Sequence, residues 1–328
     1  MWVDTAFFAH IAFVTSSGSP EMTADDQLAA QLLEQNNIRV TPVAWDAPEI
    51  DWAEFDLIVI RSAWNFYLKP AGYLQWLNHL EASRIPLENP APVIQKNLDK
   101  RYLFDLEKQG VSIIPAVHVA QNETQNENKE LHSIMVSQGW NEVVIKPTIA
   151  ASGYQVWKSV LDQSKKADQA KFNQALLHTS LLVQPLAPEI RSAGEWSLIF
   201  FDKKFSHAVI KKPASGDFRV QRKFGGSAAP ATPARNLILQ AEAVLEKIEA
   251  PLLYARVDAI ERDGVLQLME LEINEPYLYL GMHPDAARNF SAAIMRAVTQ
   301  ATTPNRPCMR ERVGVRTDLN HHLEHAEC

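Results

Sequence analysis

Two stretches late in the chain carry the residue types that metal-assisted phosphate chemistry uses. Arg256-Val-Asp258 lies in the strand-like run LLYARVDAI (252–260), and Glu272-Ile-Asn274 closes the next run, VLQLMELEIN (265–274). Side chains alternate across a strand, so Arg256 and Asp258 share one face, as do Glu270, Glu272 and Asn274. The RDG turn at 262–264 is short enough to pair the runs as a hairpin. Pairing would bring a guanidinium, two or three carboxylates and a carboxamide onto one patch. Both runs are apolar on both faces, which predicts a buried hairpin rather than a solvated one. Buried like charges demand a cation or a partner, and an oxygen-rich set suits Mg2+.

Cations that could meet phosphate lie upstream. Lys146 ends the apolar run EVVIKP, and the small-residue loop Ala150-Ala151-Ser152-Gly153-Tyr154 follows it. An ammonium beside such a loop can place one charge and several backbone N–H groups around a polyphosphate. The loop is therefore a candidate lid. Lys100, at a helix start, is a second candidate; either lysine alone reads equally as a solvated side chain. Between 203 and 223 stand Lys203, Lys204, Lys211, Lys212, Arg219, Arg222 and Lys223 against Asp202 and Asp217. In an acidic protein so local an excess suggests an anionic ligand, and arginine suits a bidentate hold on carboxylate or phosphate. Arg61, Ser62, Trp64 and Asn65 follow a buried strand, where parallel sheets bind ligands, and are expected to touch the substrate.

These residues need elements to hold them. IAFVT (11–15), IRVTPVAW (38–45) and FDLIVIR (55–61) read as buried strands, with helices over 25–34 and 73–82 between and after them. That β-α-β order predicts an open α/β sheet. Pro86, Pro90 and Pro92 mark a boundary near residue 93. Beyond it, closely spaced strand-like runs and the tight turns DKK (202–204) and RDG predict antiparallel sheet in an α+β arrangement. The polar stretch 121–130 reads as an exposed connection, and from about 301 the pattern dissolves into a tail. His321, His322, His325 and Cys328 in that tail are read as part of a disordered end or remnant rather than a metal site.

Taken in order, Lys100, Lys146 with its loop, Gln184-Pro185-Leu186, Glu195, Arg256-x-Asp258 and Glu272-x-Asn274 resemble the ATP-grasp superfamily. Within it the chain is most similar to glutathione-synthetase-like and RimK-type ligases, and especially to the subgroup that closes the D-cycloserine ring. RSAWNFY (61–67), NLDKRYLFDLEKQGVSIIPA (97–116), the 194–221 stretch and ARVDAI…LMELEINEPYLYLG (255–281) carry that likeness. The resemblance spans nearly all of 11–299. It implies an α/β pre-ATP-grasp domain (1–93) followed by an α+β two-lobed ATP-grasp fold, with a small lobe (94–182) and a large lobe holding the metal site (183–300), then the tail (301–328).

It also implies roles. Lys100 and Lys146 would contact ATP phosphates, with Ser152 and Gly153 beside them. Gln184, Pro185, Leu186 and Ala187 would line the adenine slot, and Glu195 would hold the ribose. Asp258, Glu272 and Asn274 would bind two Mg2+ ions, for which Mn2+ could substitute; Glu270 and Glu275 compete with Asn274. Arg256, Lys211 and Arg219 would steady the acyl phosphate and the tetrahedral intermediate. Asn65, Ala63 and Ala116 depart from the Asp and Thr residues common in the subgroup, which leaves the substrate open.

The expected activity is carbon–nitrogen ligation through an acyl phosphate on a small amino-acid-like substrate, with or without cyclisation. The alternatives are a RimK-like ligase adding amino acids to a protein or peptide, and a nucleotide-binding regulator without ligation. Asp258→Ala or Glu272→Ala is expected to abolish activity with the melting profile nearly intact. A net charge of −7 argues against nucleic-acid binding, no run is long enough to span a bilayer, and GxGxxG is absent after the first strand. Cysteines occur only at 308 and 328, which fits a reducing, cytoplasmic setting without a disulfide framework. Oligomeric state is not legible.

Overall fold

The computed structural model describes residues 7–123, 130–164 and 167–302. Most of the 121–130 connection and all but the first two residues of the tail, with its histidines, lie outside the described residues.

The first sheet is parallel, in the order β2-β1-β3-β4, from β1 (Ala9–Thr15), β2 (Ile38–Ala44), β3 (Leu57–Ile60) and β4 (Leu87–Glu88). Helix α1 (Ala24–Glu34) starts at Thr23, whose side chain accepts from the Asp26 N–H at 3.0 Å. Helix α2 (Pro70–Ala82) has Pro at its first position, where no N–H is needed. Alternation along β1 explains the layering. Ile11 and Phe13 enter a core with α1, whereas Ala12 and Val14 pack toward α2 and α3 (Ala91–Asn97). A short helix, α4 (Tyr102–Lys108), leads into the next unit.

There, β5 (Val117–Val119), β6 (Glu142–Pro147), β7 (Trp157–Val160) and β8 (Leu181–Pro185) form an antiparallel sheet in the order β5-β8-β6-β7. Helices α5 (Leu131–Gln138) and α6 (Ala167–Leu176) cover it through Leu131, Ile134, Met135, Phe172 and Leu176. A one-turn helix, α7 (Glu189–Ser192), then opens the third sheet.

That sheet is also antiparallel, β11-β10-β9-β12-β13: β9 (Glu195–Phe201), β10 (Lys204–Lys212), β11 (Ser227–Ala231), β12 (Tyr254–Arg262) and β13 (Val265–Glu272). Two turns have left-handed backbone at both central residues, Asp202 and Lys203 (φ 49° and 59°), Asp263 and Gly264 (φ 53° and 77°). Such turns match the twist of tight hairpins. Helix α8 (Arg235–Glu246) packs on β13, and α9 (Ala286–Thr302) crosses back to the first domain, where Phe290, Ile294 and Val298 join the core of α1. Ile199, Phe201 and Tyr254 of the third sheet enter that same core, so the first domain and the large sheet are packed as one mass. No helix among the described residues is long and apolar enough to cross a membrane.

Candidate active site

A cavity of about 460 Å³ lies between the second and third sheets. One wall is the face of β9, β10, β12 and β13 that the alternation argument singled out. Arg256 pairs with Glu272 and Asp258 with Glu270 in the β12–β13 register, and a bulge follows at Asp258/Ala259. All four side chains therefore face the same space.

Asp258 is the hub of this wall. Its Oδ1 accepts from Ser197 Oγ (2.5 Å) and Arg256 Nε (2.9 Å), and its Oδ2 from Lys211 Nζ (2.8 Å) and Arg256 Nη2 (2.9 Å). Burial opposes its charge, but the Arg256 guanidinium and Lys211 ammonium prevail and hold the carboxyl well below the usual range. Lys211 also reaches Glu195 Oε1 at 2.5 Å, and Arg256 donates to Glu272. Burial raises Glu195 above its ordinary value despite Lys211. Glu272 is pushed up to about 7 by burial and by Asp258 and Glu270, against the pull of Arg256. Glu275 rises to about 8, through burial and then Glu272 and Glu270. This crowding of carboxylates favours an added cation.

The opposite wall carries the two lysines. Lys100 Nζ donates to the Ala150 carbonyl (2.6 Å) and pairs with Glu270 (3.1 Å). Lys146 has no ion pair within contact distance among the described residues. Burial pushes its ammonium down to about 8, with Glu270 opposing and Lys100 reinforcing the shift. A positive group so placed is short of a partner, and a phosphate would supply one.

The hinge and roof complete the enclosure. Gln184, Pro185 and Ala187 line the cavity, whereas Leu186 lines a separate groove with Trp140 and Arg191. Ser152 (φ 54°) and Gly153 (φ 68°) form part of the roof. A Cβ on Gly153 would stand 3.1 Å from the Phe224 ring and 3.2 Å from Gln221 Oε1, so the loop seats closely on the 218–224 segment. Tyr154 meets Tyr67 of the first domain, ring centroids 4.8 Å apart. Arg219 lines the cavity too, but its guanidinium is bonded to Asp217 (2.8 Å) and lies 3.6 Å over the Phe224 ring.

For Mg2+ the donor chemistry fits. Asn274 Oδ1 accepts from the Tyr73 hydroxyl at 2.7 Å, and Asn274 Nδ2 is buried without a partner among the described residues. A buried orphan donor costs about 1–3 kcal/mol. Turning the amide over places a carbonyl oxygen at that position, facing the demand the neighbouring carboxylates create. Among the described residues no three His, Cys, Asp or Glu side chains form a ready cage. That accords with an ion that takes much of its shell from phosphate and water.

The first-domain residues behave differently from the expectation. Trp64 lines the cavity, but Arg61, Ser62 and Asn65 do not. Arg61 is 2% exposed and bonded to Asp26 (2.8 Å) and to the Pro276 carbonyl (3.1 Å). Ser62 is fully buried and its hydroxyl has no partner among the described residues. Asn65 bonds to Trp45 Nε1 (2.6 Å) and to Asp46 (2.8 Å). Arg61 and Asn65 are bonded inside the protein and Ser62 is enclosed away from the cavity, so the position after a parallel strand does not by itself mark ligand contact here. Sequence reasoning passed over Ser197, although it shares a strand face with Glu195 two residues away. It also passed over Tyr73 and Asn89, for which no local signal exists.

Residues 11–89 match the family described as "D-cycloserine synthetase DcsG, N-terminal domain". The cycloserine biosynthesis protein DcsG of Streptomyces lavendulae is 26% identical over 296 residues, 87% of this chain and 97% of that protein. The crystal structure of D-cycloserine synthetase DcsG superposes with a TM-score of 0.77 at 25% identity, covering 88% of this chain and 99% of that one. ATP-grasp ligase PsnB, in complex with a minimal precursor, Mg and ADP, gives 0.58 at 14% identity, covering 88% and 97%, a likeness of fold. The fold is that of the ATP-grasp ligases, and the chain is a ligase. In this ligase, then, an α/β domain precedes an ATP-grasp fold whose two antiparallel sheets enclose the cavity.

Proposed function

We propose that this ATP-dependent ligase binds ATP and Mg2+ in the cavity and phosphorylates the carboxylate of a small amino-acid-like substrate. A carboxylate is a poor electrophile. Its oxygen attacks the γ-phosphorus, ADP leaves, and the acyl phosphate then carries a good leaving group. Attack by an amine forms the C–N bond, releases phosphate and gives up the amine proton. The observation that carries this reading is the Lys211–Glu195–Asp258–Arg256–Glu272 network facing Lys100 and Lys146 across an enclosed space.

Lys146 and Lys100 would hold the phosphates, and Ser152 and Gly153 would close over them. Gln184, Pro185 and Ala187, with Leu186 next to them, would frame the adenine, and Glu195 would receive the ribose. Asp258, Glu272 and Asn274 would hold Mg2+, with Glu270 and Glu275 adding negative charge nearby. When bound, the ion offsets the charge that builds between the β- and γ-phosphates. Arg256 and Lys211, already fixed by their carboxylates, would steady the oxyanion that forms under amine attack. Arg219 would support the same region from the roof. Exclusion of water beneath the 150–154 loop protects the acyl phosphate from hydrolysis. Similarity to a D-cycloserine synthetase supports a substrate that holds both carboxylate and amine and closes on itself.

A screen of phosphate release over amino-acid-derived carboxylates, with and without added amines, tests this. ATP- and Mg2+-dependent phosphate matched by one C–N product supports it. Release at background with every substrate contradicts it.

A further inference from the structure

Residues 273–276 leave the end of β13 and pass along the cavity floor, and the first domain grips each of them. Asn89 Nδ2 donates to the Ile273 carbonyl at 2.7 Å. The Tyr73 hydroxyl donates to Asn274 Oδ1 at 2.7 Å. Trp64 Nε1 donates to the Glu275 carbonyl at 3.2 Å, and Arg61 Nη2 to the Pro276 carbonyl at 3.1 Å. Asn89 also donates to the Tyr254 carbonyl and accepts from the Leu253 N–H, so it clasps the entry to β12 as well. Four consecutive residues held by four donors from one domain amount to a jig for the segment carrying Asn274.

We propose that Tyr73, supported by Arg61, Trp64 and Asn89, is a positioning residue that sets the Asn274 amide for the divalent cation. Through it the first domain tunes metal affinity without touching the metal. The proposal rests on the nucleotide–metal reading above. Three features support it. Tyr73 is wholly buried and packed edge-on against Trp45 (4.9 Å), so its hydroxyl has little freedom. A hydroxyl both donates and accepts, so it can hold the amide in either sense. The orphaned Asn274 Nδ2 shows that the amide has one bonded and one open end. Groups that orient a metal ligand commonly govern affinity as strongly as the ligand's neighbours do.

The test is a double-mutant cycle read by Mn2+ binding in the presence of ADP, followed by the electron paramagnetic resonance of free Mn2+. Tyr73→Phe keeps the packed ring and deletes the hydroxyl. It weakens Mn2+ binding by roughly 10- to 100-fold, while ADP affinity in EDTA stays within about twofold. In an Asn274→Asp background either rotation presents an oxygen, so Tyr73→Phe costs less than about twofold there. Equal losses in both backgrounds overturn the proposal, because a general packing role predicts them. Wild-type affinity in Tyr73→Phe overturns it alone, whereas no Mn2+ uptake by the wild-type ADP complex overturns the nucleotide–metal reading with it. Should Tyr73→Phe not fold, Trp64→Phe is read instead. A loss of the same order with metal-free ADP affinity unchanged supports the jig, and unchanged Mn2+ affinity overturns it.

Discussion

Polar residues gather at strand ends in two regions, after β3 and along the β12–β13 hairpin, and they serve opposite purposes. On the hairpin, Arg256, Asp258, Glu270 and Glu272 face a shared space and bind one another across it. After β3, Arg61 and Asn65 turn into the protein and bind Asp26, Pro276, Trp45 and Asp46. Each set holds a buried charge, Arg61 at 2% and Asp258 at 3% exposed, so burial does not distinguish the cavity cluster from the structural one. What distinguishes them is saturation. Arg61 is satisfied by one carboxylate and backbone carbonyls, whereas the hairpin leaves crowded carboxylates, an orphan amide and, opposite, a lysine short of a partner.

Mutations can break or sharpen that contrast. Arg61→Ala should have the largest effect, on stability: about 3–5 kcal/mol, because Asp26 stays buried without its cation. Chemical denaturation measures it, and a loss under about 1 kcal/mol would erase the structural role assigned to Arg61. Asp258→Ala should lower kcat by roughly 10²–10³-fold, the usual worth of a preorganised charge at a reacting centre. It should also lower the melting temperature, since Ser197, Lys211 and Arg256 all donate to that carboxylate. The expectation of a nearly intact melting profile overlooked those bonds.

Next comes pH. Burial holds the Lys146 ammonium down to about 8, so it is charged at pH 7 and should hold a phosphate there. Above pH 8 the free protein loses that proton, and ADP affinity should fall by up to about tenfold per unit, as linkage requires. Titration calorimetry between pH 7 and 9 reads this, and Lys146→Arg should flatten it. Smallest is Ser62→Ala. Removing a buried hydroxyl that has no partner among the described residues should stabilise the protein by about 1 kcal/mol and leave kcat unaltered.

The hairpin was legible because three local rules agreed on it: alternation, a tight turn and apolar flanks. The parallel sheet of the first domain followed from short apolar runs separated by helical patterns, and the resemblance supplied the rest of the order. The grip on 273–276 was not legible. It joins residues separated by 184, 201, 211 and 215 positions, and no periodicity encodes a contact at that range. Asn65 failed for another reason. Its partners Trp45 and Asp46 follow β2, and only the neighbouring parallel strands bring those ends together.

Divalent ions are expected to meet nucleotide phosphates at the hairpin, and the position of Mn2+ in crystals grown with ADP tests that most directly. Anomalous difference peaks should lie at coordination distance, about 2.0–2.3 Å, from carboxylate oxygens of Glu272 or Asp258 and from Asn274 Oδ1. Lys146 should lie beside the phosphates. Peaks bound to the diphosphate but remote from all three side chains would contradict the assignment.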